Sequence, residues 1–215
     1  MDRKKHNPEE IAGKMLEILR TLYPNPGGFL HADSPWQLLV ATQLSAQCTD
    51  ERVNSVTPAL FARLPDPGAM ADANQDEVES LVRSTGFYRN KAKNLIGAAK
   101  RVLEFYGGEV PGTMDEMLTL PGIARKSANV ILFGAFGVNA GLAVDTHVKR
   151  LAWRLGLTQE TDPVRIEQDL LPLFPREEWG NTNHRMVSFG REVCKARSPL
   201  CPDCEAKIFC PRRGL

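Results

Sequence analysis

Apolar residues recur along the chain at intervals of three and four, the period of a helix with one buried face. Ile11, Met15, Ile18, Leu19 and Leu22 share such a face. Asn7-Pro8-Glu9-Glu10 before them is a start signal: a cap, a proline at the first position and acids in the first turn. Ser34-Pro35-Trp36 repeats it and opens a helix that is apolar nearly all round (Leu38, Leu39, Val40, Ala41, Leu44), which predicts burial on every side. Thr49-Asp50 caps a third helix, which Pro58 is expected to interrupt or restart. Asp66-Pro67 and Asn74 start two more, the second with Val78, Leu81 and Val82 inward and a stop at Gly86. Ala92, Leu95, Ile96, Ala99 and Leu103 form the stripe of a basic helix ended by Gly107-Gly108. Thr113 and Glu116 have capping-box spacing. Leu120-Pro121-Gly122 then reads as a tight turn into a helix that begins near Ile123 or Ala124 and runs towards Gly137. Asp145 caps a helix reaching Gly156, Asp162-Pro163 starts another, and Asn181 or Thr182 caps the last long one, ending near Cys194. No stretch alternates with period two, so the prediction is an all-α chain of about ten short helices with brief loops.

Composition adds bounds. At 215 residues the chain suits one large domain or two small ones. The start, Met1-Asp2-Arg3-Lys4-Lys5-His6, is charged and leads into no apolar segment, so no signal peptide is read there. The longest apolar run, 130–138, is too short to span a bilayer. An intracellular, cytoplasmic protein without membrane attachment is expected, nucleoid-associated if bacterial. The net charge of +1 argues against indiscriminate nucleic-acid binding, but its distribution is uneven. Arg89, Lys91, Lys93, Lys100 and Arg101 occur without an acid among them, and bases enrich the C-terminus, while acids collect at 66–79 and 160–178. A basic face can be hidden in that balance.

Two places suggest chemistry. Cys194, Cys201, Cys204 and Cys210 have the spacing C-x6-C-x2-C-x5-C. Four thiols so close, in a chain read as intracellular, argue for a metal site over disulfides, and either tetrahedral zinc or a four-iron cluster suits them. Cys48 stands apart and reads as a small buried hydrophobe. The second place is Lys126, just inside the helix after the Pro-Gly turn. The first turn of a helix offers unpaired N–H groups that can hold a phosphate, and its positive end disfavours a protonated amine. A lysine on a helix is ordinarily a solvated charge.

Together these features resemble the endonuclease III family of helix-hairpin-helix DNA glycosylases, over nearly the whole chain. The marks are Leu120-Pro121-Gly122 with Lys126-Ser127-Ala128-Asn129-Val130, then Val144-Asp145-Thr146-His147, then the four-cysteine tail. Leu44-Ser45-Ala46-Gln47 with Thr49-Asp50, and Gly86 with Tyr88 and Lys91-Ala92, add to them. The resemblance implies a six-helix domain at 29–139 carrying the hairpin. It implies a second, discontinuous domain of 1–28 and 140–215 carrying a 4Fe–4S cluster on Cys194, Cys201, Cys204 and Cys210. It places Lys126 and Asp145 on opposite walls of a cleft. The implied substrate of a monomeric enzyme is double-stranded DNA with oxidised pyrimidines or abasic sites.

The implied mechanism is bifunctional. The nucleotide is flipped out, because its base cannot be reached inside the duplex. The hairpin, Leu120, Gly122, Ala124 and Arg125, grips phosphate, Gln47, Phe87 and His147 fill the vacated space, and Lys195 and Arg197 on the cluster loop meet DNA. Lys126 displaces the base at C1′ and forms a Schiff base. Attack requires the neutral amine, which burial in the cleft, the helix N-terminus and nearby Arg125 would all favour. Asp145 stabilises the positive charge developing on the sugar and assists proton transfers. A monofunctional adenine or mismatch glycosylase has the same fold, but Lys126 argues against it. A non-catalytic helix-hairpin-helix module is the other alternative. Two positions depart from the family pattern. Phe87 stands where a leucine wedge is usual, and Ala124 stands where a second glycine is, so its methyl is expected to restrict φ or hold phosphate off and weaken DNA binding.

Overall fold

Side-chain caps set most of the helix starts. In the computed structural model, which describes residues 7–215, Asn7, Ser34, Thr49, Asp66, Asn74, Thr113, Asp145 and Asp162 each accept a backbone N–H of the first turn they precede. The run Met1 to His6, read for the lack of a signal peptide, lies outside the described residues. The helices are α1 (Pro8–Leu22), α2 (Pro35–Leu44), α3 (Asp50–Arg63), α4 (Pro67–Asp72), α5 (Gln75–Val82), α6 (Tyr88–Tyr106), α7 (Met114–Met117), α8 (Arg125–Phe136), α9 (Thr146–Leu155), α10 (Pro163–Leu170) and α11 (Trp179–Glu192). Short 3-10 turns follow α5 and α10, precede α11 and lie at Glu205–Ile208. Among the described residues there is no strand, and no helix is long and apolar enough to cross a membrane.

The chain divides into two compact units, Gly28–Ala140 and the residues up to Gly27 with Gly141–Leu215. The first holds α2 to α8. Leu39, Val40, Ala41 and Leu44 of α2 are fully buried, and α2 packs against α3, α6 and α8 as its all-round apolar sequence requires. In the second unit α11 packs on α1 and α9, and Met15, Leu19, Val148, Leu151, Ile166, Leu170 and Met186 form the core.

Three sequence expectations are corrected. Pro58 neither interrupts nor restarts α3, because the ring lies on the exposed face where the carbonyl it deprives can turn to water. The last long helix starts at Trp179, not at Asn181 or Thr182, and no side chain caps it. Trp179 Nε1 bonds to the carbonyls of Leu171 and Phe174, Thr182 is buried, and Asn183 donates to Ala143 O, so tertiary bonds override the cap signal. Finally, α6 buries Lys91, Ala92, Leu95, Ala98, Ala99 and Val102, leaving Leu103 exposed and removing Lys91 from the basic surface.

Candidate nucleic-acid interface and active site

In the 28–140 unit, α7 and α8 form a hairpin around one turn. Thr113 Oγ1 accepts the Glu116 N–H and donates to Glu116 Oε2 at 2.7 Å, closing the start of α7. Ile123 N–H then returns to Leu120 O at 3.1 Å across Pro121 and Gly122. Gly122 has φ +80°, the residue that a type II turn requires to be glycine. Space demands glycine too: a Cβ there would stand 2.9 Å from Asn94 Cβ and 3.0 Å from Gln43 Oε1. Gln43 Nε2 donates to Pro121 O at 3.1 Å and so ties α2 to the turn.

The turn delivers the chain to α8 with Ala124 as N-cap, Arg125 first and Lys126 second. No side chain caps this end, a feature shared with helix termini that bind anions. Lys126 is exposed, not buried as the implied mechanism expects, because the inward face of α8 is taken by Ala128, Asn129, Ile131 and Leu132. Leu120 is buried, so only its backbone can reach a ligand. Ala124 has φ −108° and ψ 167°, extended backbone that any residue adopts, so its methyl does not restrict φ there.

Beside the turn lies an open cavity of about 200 Å³ lined by Gln43, Ala46, Gln47, Phe87, Asn90, Lys91, Asn94 and Gly122. Gln47 and Phe87 are exposed and both left-handed, with φ of 52° and 48°. Lys91 below them donates from Nζ to Leu44 O at 2.7 Å and Thr85 O at 2.8 Å. Burial holds this ammonium below the usual lysine range, and the nearby Cys48 side chain pulls the other way.

In the other unit Asp145 caps α9. Its Oδ1 accepts both the His147 and Val148 N–H groups at 2.8 Å, so the cap leaves Oδ2 for other partners. His147 is half-buried, and its Nδ1 faces Arg150 Nη2 at 3.1 Å. Burial lowers the His147 pKa, as do Arg150 and Arg191, against the opposite pull of Asp145.

The four C-terminal cysteines line one cavity with Leu151, Leu155, Phe189, Val193 and Leu200. Arg154 donates to Cys194 Sγ at 3.4 Å, Lys195 O at 2.7 Å and Ala196 O at 3.1 Å, which shapes the loop carrying exposed Lys195 and Arg197. Burial raises the Cys204 and Cys210 thiols above their ordinary range, and neighbouring cysteines add to it against backbone hydrogen bonds. Among the described residues no three His, Cys, Asp or Glu side chains gather closely enough to hold a single ion. Four cysteine sulfurs around one cavity are nonetheless a soft donor set of the kind that thiophilic metal centres use.

Residues 40–176 match the HhH-GPD superfamily of base excision DNA repair proteins. Endonuclease III of Synechocystis sp. PCC 6803 is 55% identical over 97% of this chain and 95% of its own length. The chain belongs to the endonuclease III family. Two solved structures align with it at TM-score 0.91 and 40% identity, each over 95% of this chain. One is a non-covalent endonuclease III–DNA complex, covered to 95%, and the other a trapped endonuclease III–DNA covalent intermediate with an estranged adenine, covered to 96%.

Within this endonuclease III family chain, the hairpin residues Leu120, Gly122, Ala124, Arg125 and Lys126 follow one another on one turn and helix start. Gln47, Phe87 and Gly122 share one cavity. Asp145 and His147 share the first turn of α9, and the cysteines share their own cavity. Sequence reasoning did not single out Gln43, Arg150 or Arg154, and it placed Lys91 in a basic segment and among the family marks without seeing that it is buried. Lys91 was legible, since 91, 95, 98 and 102 follow the helical period of the buried face. The two arginines carried no such signal, because their acceptors are loop carbonyls remote in sequence.

Proposed function

We propose that this chain removes oxidised pyrimidines from duplex DNA and cleaves the resulting abasic site by β-elimination. The observation that carries the reading is Lys126, presented to solvent at the uncapped start of α8 immediately after the Gly122 turn. The trapped covalent endonuclease III–DNA intermediate, 40% identical to this chain, supports covalent chemistry on DNA. The hairpin N–H groups hold a phosphate and fix register. Gln47, Phe87 and His147 occupy the space that the extruded nucleotide leaves. The neutral Lys126 amine attacks C1′, and the base leaves with the glycosidic electron pair and a proton. The sugar ring opens as the C1′–N bond becomes a Schiff base. Loss of a C2′ proton then expels the 3′ phosphate, and hydrolysis returns the lysine. The Asp145 carboxylate, fixed by its cap through Oδ1, stabilises positive charge at the sugar and takes part in proton transfers.

Cys194, Cys201, Cys204 and Cys210 would hold a 4Fe–4S cluster, which supplies a fixed scaffold for the 195–197 loop. Its neutralisation of four crowded thiolates fits the raised Cys204 and Cys210 thiols. Iron and acid-labile sulfide near four each per chain, lost in Cys204→Ser, are the expected result; one zinc and no sulfide would refute it.

The deciding experiment is borohydride trapping on an abasic duplex. The parent is expected to give a covalent adduct, which Lys126→Ala abolishes while DNA binding persists. An adduct of undiminished yield in the variant would remove Lys126 from the mechanism.

A further inference from the structure

Lys91 is a buried cation without a part in the glycosylase and lyase steps. It is 5% exposed, and a lysine so placed is rare unless paired. Its partners are two backbone carbonyls, at the last residue of α2 (Leu44) and the last residue of the 3-10 turn Arg83–Thr85. Carbonyls at helix ends lack intrahelical donors and lie at the negative end of the helix dipole, so they suit an ammonium.

Each carbonyl stands at the base of a turn that ends in an exposed side chain. Three residues beyond Leu44 is Gln47, and two beyond Thr85 is Phe87. Both are non-glycine residues with positive φ, a strained conformation that persists where the surroundings hold it. Both side chains are exposed and border one cavity with Lys91. One ammonium thus anchors the bases of two strained turns whose tips point into the same space.

We propose that Lys91 is a positioning residue for nucleotide extrusion, its ammonium fixing the separation and direction of Gln47 and Phe87. This rests on the reading that those two side chains enter DNA. The two carbonyls lie on different elements, so losing their common donor lets the tips move independently.

Lys91→Met keeps the length of the side chain and removes its donors. In the full chain, extrusion is followed by stopped-flow fluorescence of 2-aminopurine beside an oxidised pyrimidine, together with excision of that base. Strand cleavage at a preformed abasic site, which has no base to unstack, is measured in parallel, with thermal unfolding. Extrusion and excision are expected to slow at least about tenfold, and abasic-site cleavage by less than about threefold. A lowered Tm with extrusion unchanged, or all rates falling equally, would show a brace for stability alone and overturn the proposal. Should the Met variant not fold, Lys91→Gln, with two amide donors and no charge, takes its place against the same criteria. Gln47→Ala and Phe87→Ala separate the two layers. If neither slows extrusion, the wedge reading fails and the Lys91 role with it; if they do and the Lys91 variants do not, only the Lys91 role is lost.

Discussion

At Asp145 a single carboxylate can serve structure and chemistry through different oxygens. Oδ1 takes both backbone N–H groups of the α9 start, which fixes the plane of the group and leaves Oδ2 outside the cap. Asparagine caps a helix about as well as aspartate, so Asp145→Asn is expected to change stability by less than about 0.5 kcal/mol. The same variant removes the charge, and excision is expected to fall about a hundredfold or more. Asp145→Ala should lose both, with an unfolding free energy lower by about 1 kcal/mol. Denaturant unfolding and single-turnover excision of the two variants separate the roles, and a fully active Asp145→Asn would leave the residue a cap only. The cap was legible in the sequence, because an aspartate before Thr146-His147-Val148 is a local signal. The exposure of Lys126 was not, since it depends on which face of α8 the rest of the 28–140 unit covers.

Helices of the second unit are joined by charge as well as by apolar packing. Glu178, at the N-cap of α11, accepts Arg20 of α1 at 2.8 Å and also Arg185 of α11. Burial alone would raise its carboxyl, but the hydrogen bonds and charges of the two guanidinium groups outweigh it and hold the group below the usual carboxylate range. The folded pKa is thus lower than the unfolded value of about 4.3, so the contribution is present above that value and lost as pH falls through the folded pKa. Urea unfolding should show it: Glu178→Gln lowers stability at neutral pH by roughly 1 kcal/mol, Arg20 being half exposed, and loses less than the parent on acidification. Equal acid sensitivity of parent and variant would exclude the pair as a source. This N-cap was misread from the sequence for the same physical reason. The start of α11 is set by a 3-10 turn, the Trp179 indole and buried arginine, none of which leaves a Ser, Thr, Asp or Asn at the cap. Where the cap is a local side-chain bond, as at Ser34, Asp66 and Asp162, the boundary can be read directly from the sequence.

At the scale of the whole molecule, a net charge of +1 supplies little general attraction to a polyanion, so affinity has to come from a few placed cations. Lys91 is removed from that account by burial, and Arg101 lies over the Phe105 ring. Arg89, Lys93 and Lys100 of α6 stay exposed, as do Lys195 and Arg197, which lie on a loop whose backbone Arg154 grips at the carbonyls of 195 and 196. Each phosphate neutralised on duplex DNA contributes about 0.9 to the slope of log affinity against log salt, so Lys195→Gln with Arg197→Gln should flatten that slope by about 1.8. The loss should be nearly independent of sequence and of lesion, because phosphate contacts position the protein without reading bases. Arg165→Gln on α10, which removes an exposed charge already paired with Glu160, is the matched control and should leave the slope in place. A double variant with the parental slope would mean that the loop does not meet the backbone. The exposed cations of α6 and the cations of the α8 start would then account for the electrostatic component of binding, and Lys93→Gln with Arg125→Gln would flatten the slope in its stead.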